Sequence, residues 1–264
     1  MRIFTVDTFT NKPFTGNQAG VCILDRKIDD SLMLKITKEL NYSETAFALQ
    51  LKNNEFILRW FTPKQEVDLC GHATLATSRV LYENGIVDKM VAIEFETRSG
   101  ILTTKISGEK IIMDFPSRQV KQSNADDIII KFTQAQPIFV GIDQNWCLVE
   151  LENAEAVTSI HPDFELLKTH QQKVFTFTAK SEKPDFDFVS RCFGPAIGIN
   201  EDPVTGSAHC YLAPYWADKL KKNKLIGFQT SERTGIIECE LIENGRVLLG
   251  GESIIMAEII QNWA

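Results

Sequence analysis

The segment Arg59-Trp60-Phe61-Thr62-Pro63, which precedes Gly71-His72-Ala73, has a counterpart in the second half of the chain: Arg191-Cys192-Phe193-Gly194-Pro195, which precedes Gly206-Ser207-Ala208. The two phenylalanines are 193 − 61 = 132 residues apart, which is half of the 264-residue chain, and the two glycines are 206 − 71 = 135 residues apart. A similar offset at two places predicts a duplicated unit and a pseudo-two-fold relation between the halves. Chance similarity between two short strand–loop–helix segments is the alternative.

The sequence around these segments predicts the same kinds of element in both halves. Residues 45–61 predict a hairpin that turns near two asparagines. A helix is predicted to begin at Gly71 and to end at Asn84-Gly85, and a second helix is predicted over about residues 206–220. Pro214 lies inside that second helix. Because proline lacks an N–H group and clashes with the preceding turn, it predicts a kink or a restart there.

Composition excludes several classes of protein. Hydrophobic residues make up 44% of the chain and charged residues 24%, which is typical of a globular protein. The net charge of −7, from 28 basic and 35 acidic residues, lacks the basic surplus of nucleic-acid-binding proteins, so we expect no nucleic-acid partner. No stretch approaches the ~20 apolar residues of a spanning helix, and the N-terminus does not resemble a signal peptide, so we expect no membrane association. The six cysteines are scattered singly, which predicts a reduced, cytoplasmic protein.

The two predicted helix starts are candidate anion sites. The first residues of a helix present backbone N–H groups without a helical partner, together with the positive end of the helix dipole. Glycine at Gly71 and Gly206 lets a ligand approach the backbone closely, so two such starts facing each other across a cleft could bind a small carboxylate. The simpler interpretation is that each glycine only begins a helix. Neither of the common glycine-rich phosphate-binding patterns occurs, so nothing indicates a nucleotide site.

Three residues are candidates for acid–base chemistry, each with a simpler alternative. Glu44 precedes an apolar segment, where partial desolvation raises the pKa of a carboxyl group and suits it to proton transfer; the alternative is an exposed turn residue. Asp202 precedes the second helix, where a loop or capping residue is expected. His72, at the start of the first helix, is a structural residue or, beside a carboxylate-binding cleft, a proton carrier.

Cys70 immediately precedes the first helix, where a thiol acquires a lowered pKa and can act as a base or nucleophile. A racemase that uses two thiols needs a second cysteine at the matching position, and that position is Thr205. Cys70, His72, His209 and Cys210 are of metal-ligand types. Their C-x-H and H-C spacings do not match the common zinc sites, so we predict no metal site.

Segments along the whole chain resemble the phenazine-biosynthesis PhzF-like family. The long, ordered motifs of that family match two signature segments and three shorter ones. They are Asp7-Thr8-Phe9, Gly16-Asn17-Gln18-Ala19-Gly20, Ser43-Glu44-Thr45, Asp68-Leu69-Cys70-Gly71-His72-Ala73-Thr74 and Glu201-Asp202-Pro203-Val204-Thr205-Gly206-Ser207-Ala208-His209-Cys210.

The resemblance implies an α+β protein of the diaminopimelate-epimerase-like fold with two pseudo-symmetric domains. In each domain, a curved and mostly antiparallel sheet surrounds a central helix, and the active site lies in the cleft between the domains. The N-terminal domain is expected over residues 1–115, completed by a C-terminal strand at about residues 250–264, and the C-terminal domain over residues 116–249. Because members of the family are commonly homodimers, we expect a homodimer.

The resemblance also implies the chemistry. The expected activity is that of a cofactor-independent isomerase, which moves a proton between carbons of a small carboxylic-acid metabolite by general acid–base catalysis. The catalytic glutamate of the family falls on Glu44, and the supporting residues fall on His72 and Asp202. The expected substrate-binding residues are Asn17, Gly71, Gly206 and Ser207. No metal or organic cofactor is implied.

Two alternatives stay open. A catalytically silent protein that binds a small carboxylate would have the same site without turnover. A racemase or epimerase would use the thiol of Cys70. The resemblance implies a biosynthetic enzyme, but it does not identify the substrate or the pathway, and phenazine synthesis itself does not follow from it.

Overall fold

The computed structural model describes residues 1–261, which group into two compact units. Unit 1 comprises Met1–Asp114 together with the described residues from Gly250 onward, and unit 2 comprises Phe115–Leu249. Residues 262–264, the end of the C-terminal strand expected at about 250–264, lie outside the described residues. Of the helices in residues 1–261, none combines the length and the apolar character that crossing a membrane requires.

The first part of the chain alternates strands with two helices. In chain order its elements are β1 (Arg2–Thr8), β2 (Asn17–Leu24), α1 (Asp30–Leu40), β3 (Glu44–Lys52), β4 (Glu55–Phe61), β5 (Glu66–Val67), α2 (Gly71–Glu83), β6 (Ile93–Thr97), β7 (Gly100–Ser107) and β8 (Lys110–Pro116). The predicted hairpin is formed by β3 and β4. The helix predicted from Gly71 is α2, and its C-cap is Asn84. Both predictions are confirmed.

The second part of the chain contains more helices than the sequence predicted. In chain order its elements are β9 (Lys121–Ser123), α3 (Asp127–Thr133), β10 (Phe139–Asp143), β11 (Trp146–Glu150), α4 (Ala154–Thr158), α5 (Phe164–Lys168), β12 (Val174–Lys180), β13 (Phe188–Gly194), a 3₁₀ turn (Pro195–Ile197), β14 (Ile199–Asp202), α6 (Gly206–Leu220), β15 (Lys224–Gln229), β16 (Gly235–Ile242), β17 (Arg246–Gly251) and β18 (Ser253–Ile259). The helix predicted over about residues 206–220 is α6. The last strand, β18, belongs to unit 1.

The strands of the two units pair in the same order. In unit 1, β1–β2 is antiparallel, β2–β3 parallel, β3–β4 and β4–β5 antiparallel, β4–β6 parallel and β6–β7 antiparallel. The corresponding pairs of unit 2, with the same directions, are β10–β11, β11–β12, β12–β13, β13–β14, β13–β15 and β15–β16. One more antiparallel strand borders the first strand in each unit, β18 on β1 and β9 on β10. The predicted duplication and the α+β fold with two pseudo-symmetric halves are therefore confirmed.

The central helix of unit 1, α2, is buried from His72 to Tyr82 and packs against β1, β2, β3 and β18. A helix buried on all sides is normally apolar, but α2 contains several hydroxyl groups. The hydroxyls of Thr74, Thr77 and Ser78 donate to the carbonyls four residues earlier, at 2.6, 2.7 and 3.0 Å. Because these bonds satisfy the polar groups within the helix, its small side chains can lie against the sheet.

The matching helix of unit 2, α6, corrects one half of the prediction of a kink or a restart at Pro214. It is continuous from Gly206 to Leu220, so the restart predicted at Pro214 does not occur. Proline at this position leaves the carbonyl of Cys210 without its usual helical donor. The backbone N–H of Arg118 donates to that carbonyl at 2.9 Å and takes the place of the missing bond. A neighbouring backbone segment thus makes the internal proline tolerable.

Candidate active site

Glu44 is the first residue of β3 and is buried, with 9% of its surface exposed. The parallel pairing of β2 with β3 places it beside Ala19. Burial raises the pKa of the Glu44 carboxyl group, and a hydrogen bond from Ser43 partly opposes that shift. Glu44 is therefore not an exposed turn residue, and its carboxylate is a stronger base than that of an ordinary glutamate.

The imidazole of His72, the second residue of α2, lies beside Glu44. Its Nε2 atom is 3.4 Å from Glu44 Oε2 and 3.4 Å from Ser43 Oγ. At the other ring nitrogen, Nδ1 is 3.4 Å from Asn17 Nδ2 and 3.5 Å from Cys70 Sγ. The distances from Nε2 to the two oxygen atoms are long for hydrogen bonds, so a small side-chain movement brings Nε2 into the range used for proton transfer with Glu44. The imidazole thus lies next to both the carboxyl group and the thiol.

The thiol belongs to Cys70, the N-cap residue of α2, which is buried with 7% of its surface exposed. Its backbone is extended (φ −146°, ψ 106°), and its carbonyl accepts the first helical bond, from Thr74 N–H at 3.1 Å. We call Glu44, Cys70 and His72 the Glu44 cluster. One ligand-type atom from each residue lies within 4.8 Å of the others, and within residues 1–261 this is the one group of three such side chains.

Asn17, a predicted substrate-binding residue, begins β2 and is buried, with 1% of its surface exposed. The Thr8 hydroxyl donates to its carbonyl at 2.9 Å. The preceding residue must be glycine, because Gly16 has a φ of +74° and a Cβ atom there would lie 2.1 Å from the Thr8 carbonyl oxygen. This tight turn orients Asn17 toward His72.

The site residues predicted in the second half lie at the start of α6 in unit 2. Asp202 ends β14, and its Oδ2 accepts a hydrogen bond from the Thr205 hydroxyl at 2.7 Å. Gln229 fixes the same loop: its Oε1 accepts from the Thr205 N–H at 2.9 Å, and its Nε2 donates to the Asp202 carbonyl at 2.6 Å. Gly206 is buried and Ser207 is exposed at the first two positions of the helix.

His209 and Cys210, two of the ligand-type residues weighed in the sequence, are core residues of α6. The Nδ1 atom of His209 lies 2.8 Å from the Thr205 carbonyl, and burial lowers its pKa to about 4. Burial raises the pKa of the Cys210 thiol to about 12. Both residues are therefore neutral near pH 7 and have structural roles.

Two neighbours of the candidate residues were not predicted. Ser43 was part of a matching segment without a role of its own, and the structure places its hydroxyl beside His72. Gln229 gave no signal at all, because it is 24 residues from Thr205 in sequence and its amide looks like any other at the end of a strand. Only the parallel pairing of β13 with β15 shows why it ends beside the loop before α6.

Comparison with known proteins finds similar proteins that match nearly the whole chain. The family model described as phenazine biosynthesis-like protein (PhzC-PhzF) matches residues 6–259. An uncharacterized isomerase of Halalkalibacterium halodurans is 45% identical over 253 residues, covering 96% of this chain and 95% of that protein. A crystal structure of a PhzF-family phenazine biosynthesis protein from Enterococcus faecalis has a TM-score of 0.92 at 36% identity and covers 98% of both chains. The fold alone is shared with a predicted epimerase from Pseudomonas aeruginosa, with a TM-score of 0.78 at 20% identity, covering 100% of this chain and 99% of that one.

Proposed function

The chain belongs to the PhzC-PhzF family of phenazine biosynthesis-like proteins, and we propose that it is a cofactor-independent isomerase of a small carboxylic-acid metabolite. Relatives named as isomerases support an isomerase-type function for the chain. The finer proposal is the reaction itself, in which one proton moves between two carbons of the substrate by general acid–base catalysis.

The observation that favours this reaction is the burial of Glu44 beside His72. As a carboxylate, Glu44 takes a proton from one carbon, and the electron pair left behind spreads into the neighbouring unsaturated system of the substrate. The proton on Glu44 exchanges with solvent through His72, and the protonated Glu44 then delivers a proton to another carbon, so the enzyme ends in its starting state. A carboxyl group with a raised pKa suits both halves of this cycle, because it is a better base when ionised and holds the proton at a pH nearer neutrality.

The remaining roles in the proposal are supportive. His72 orients the Glu44 carboxyl group and exchanges a proton with it, since its Nε2 atom lies 3.4 Å from Oε2. The start of α2 at Gly71 and the amide of Asn17 bind the substrate, and the helix dipole stabilises negative charge that develops during proton removal. From unit 2 we assign a supporting role to Asp202 and a substrate-binding role to Gly206 and Ser207, as the family resemblance implies.

The test is exchange of substrate hydrogen with solvent. Candidate small unsaturated carboxylic acids are incubated in heavy water with the wild type and with Glu44→Gln, and deuterium incorporation is followed by NMR. We expect incorporation with the wild type and a decrease of about 10²- to 10⁴-fold with Glu44→Gln, because general acid–base groups contribute that much. Glu150→Gln is the matched control, since Glu150 is also buried but lies in unit 2 and bonds Tyr215 and Lys219.

Undiminished incorporation in Glu44→Gln contradicts the assignment of Glu44. Ligand binding without incorporation in either protein supports the catalytically silent binding protein instead. A third result, loss of incorporation in Cys70→Ala together with full incorporation in Glu44→Gln, supports thiol chemistry, for which the 3.5 Å separation of Cys70 Sγ and His72 Nδ1 is the structural argument.

A further inference from the structure

The Glu44 cluster brings together three side chains that are also ligands for soft and borderline metal ions. A thiolate, an imidazole and a carboxylate form a donor set that zinc accepts, and three protein ligands with one open position are the usual arrangement of a reactive zinc site. The sequence shows only the C-x-H pair of Cys70 and His72, which matches no common zinc spacing. The third ligand type comes from β3, 26 residues before Cys70, so spacing within one motif does not reveal it.

Two separations within the cluster are close to those of tetrahedral zinc. With Zn–N and Zn–O distances of about 2.0–2.1 Å and Zn–S of about 2.3 Å, tetrahedral angles separate N and O by about 3.3 Å and S and N by about 3.6 Å. In the cluster, His72 Nε2 is 3.4 Å from Glu44 Oε2 and 3.9 Å from Cys70 Sγ. The sulfur of Cys70 lies nearer to Nδ1, at 3.5 Å, so its side chain must rotate toward Nε2 before all three atoms bind one ion. The cluster is compact enough for this, because one ligand-type atom of each residue lies within 4.8 Å of the others.

We propose that Glu44, Cys70 and His72 bind one thiophilic divalent cation, with Zn²⁺ as its representative, and that the bound cation blocks the site. The site is charge-balanced, because one carboxylate and one thiolate neutralise a divalent ion, which matters for three buried residues. As the metal–sulfur bond forms, the thiol proton of Cys70 leaves to solvent. Ser43, whose Oγ lies 3.4 Å from His72 Nε2, borders the open position.

The bound cation blocks the site because its ligands are the groups that the proposed reaction needs. A cation coordinated by Glu44 holds the carboxylate oxygen that the proposed reaction needs as a base, and it also occupies the imidazole next to it. This second half of the inference rests on the proposed isomerase function. The binding itself does not, because it is measured without any substrate.

Metal binding is measured on the purified full-length chain after removal of metals with a chelator. Zn²⁺ binding is followed by calorimetry, and Co²⁺ serves as the spectroscopic probe, because a cobalt–thiolate bond gives a charge-transfer absorption band. We expect one ion per chain and the thiolate band in the wild type. In Cys70→Ser and in Glu44→Gln we expect affinity at least about tenfold weaker, and in Cys70→Ser no thiolate band.

Cys210→Ser is the matched control, because Cys210 has the same 7% exposure but belongs to α6 and lies outside the cluster. Its Zn²⁺ affinity is expected to equal that of the wild type, and far-UV circular dichroism checks that every variant is folded. The proposal is overturned by equal affinity in Cys70→Ser and the wild type, or by absence of the thiolate band in the wild type.

Blocking is tested by adding Zn²⁺ to the deuterium-exchange assay. Inhibition that a chelator reverses supports blocking, and exchange that is unchanged at saturating Zn²⁺ overturns it. A chain without exchange activity refutes the proposed function, while the calorimetry still decides the metal site.

Discussion

The segments that lead into the two central helices, which begin at Gly71 in unit 1 and at Gly206 in unit 2, are held by the same kind of ion pair. In each unit an arginine on the last long strand before the helix forms a two-point ion pair with a glutamate on the short strand that follows. Arg59 donates to both oxygens of Glu66 at 2.7 Å, and Arg191 donates to both oxygens of Glu201 at 2.8 and 2.9 Å. The same two-point geometry at matching positions shows that the duplication preserved how each helix start is supported.

The chemistry at matching positions is different. Thr45 pairs with Phe61 in unit 1 as Phe175 pairs with Phe193 in unit 2, so the residue that corresponds to Glu44 is Val174. Thr205 corresponds to Cys70 in front of the helix.

At the position of Asp202, the acidic residue lies in unit 2 and its counterpart in unit 1 is not acidic. Trp60 pairs with Val67 as Cys192 pairs with Asp202, so the aspartate of unit 2 corresponds to an apolar residue in unit 1. One scaffold was thus kept twice while the acid–base groups diverged, which is why we assign proton transfer to unit 1 and support to unit 2.

The largest stability difference is expected between the two arginines. Arg191 is buried and also donates to the carbonyl of Ile160 at 2.7 Å, so Arg191→Met leaves several buried acceptors unpaired and lowers the free energy of unfolding by about 3–5 kcal/mol. Arg59 is more exposed, and Glu66 keeps a second partner in Arg98 at 2.5 Å, so Arg59→Met costs about 1 kcal/mol. Urea unfolding measures both values. Equal decreases in the free energy of unfolding would contradict the view that burial makes the Arg191 ion pair more important than the Arg59 ion pair.

A smaller effect is expected at the loop before α6, which the buried amide of Gln229 fixes in place. Gln229→Leu removes the bonds to the Thr205 N–H and the Asp202 carbonyl, and we expect a loss of about 1–3 kcal/mol in the free energy of unfolding. Because Gln229 acts by positioning the loop, KM for the exchange reaction rises more than kcat falls. Gln229→Glu, which keeps an acceptor for Thr205, is the milder comparison. A change in kcat alone would show that the loop is not a binding element.

The sequence predicted some elements of this fold and not others. The hairpin of β3 and β4 and the bounds of α2 and α6 were predictable, because turn residues, glycines and a duplicated pattern mark them locally. The short helices α3 and α4 were missed although Asp126 and Asn153 cap them, since one or two helical turns give too little periodicity. The continuity of α6 through Pro214 depends on Arg118, which is 96 residues away in sequence.

The candidate site was also predictable from the sequence only in part. Residue types near a helix start suggested Cys70 and His72, but nothing local placed the Glu44 carboxylate 3.4 Å from the imidazole, because β3 and α2 meet only after the sheet has formed. The family resemblance supplied that pairing in advance. The role of Gln229 could not be predicted by either route.

Burial of Glu44 also predicts a pH-dependent stability cost that unit 2, with Val174 at the matching position, does not have. A carboxyl group with a raised pKa in the folded state ionises first in the unfolded state, so stability falls as pH rises from about 4.5 through the folded pKa. The loss is about 1.4 kcal/mol for each unit of pKa shift. Glu44→Gln removes it, so the variant becomes more stable than the wild type as pH rises. Thermal unfolding at several pH values measures the difference, and parallel curves would contradict burial of an ionisable Glu44.

The smallest effect on catalysis is expected at Cys70. Because Thr205 stands at the matching position, no second thiol completes a two-cysteine mechanism, and Cys70→Ala lowers deuterium exchange by about tenfold or less. The exchange assay with the same acid gives the result directly. A loss as large as that of Glu44→Gln would move the proton-transfer role toward the thiol.

The most direct test compares the two carboxylates as isosteric amides, Glu44→Gln in unit 1 and Asp202→Asn in unit 2, in the heavy-water exchange assay under saturating substrate. If proton transfer belongs to unit 1, the exchange rate falls by about 10²- to 10⁴-fold in Glu44→Gln and by about tenfold in Asp202→Asn. Loss of exchange in Asp202→Asn with exchange retained in Glu44→Gln would contradict the account, because it would place the base in the other unit.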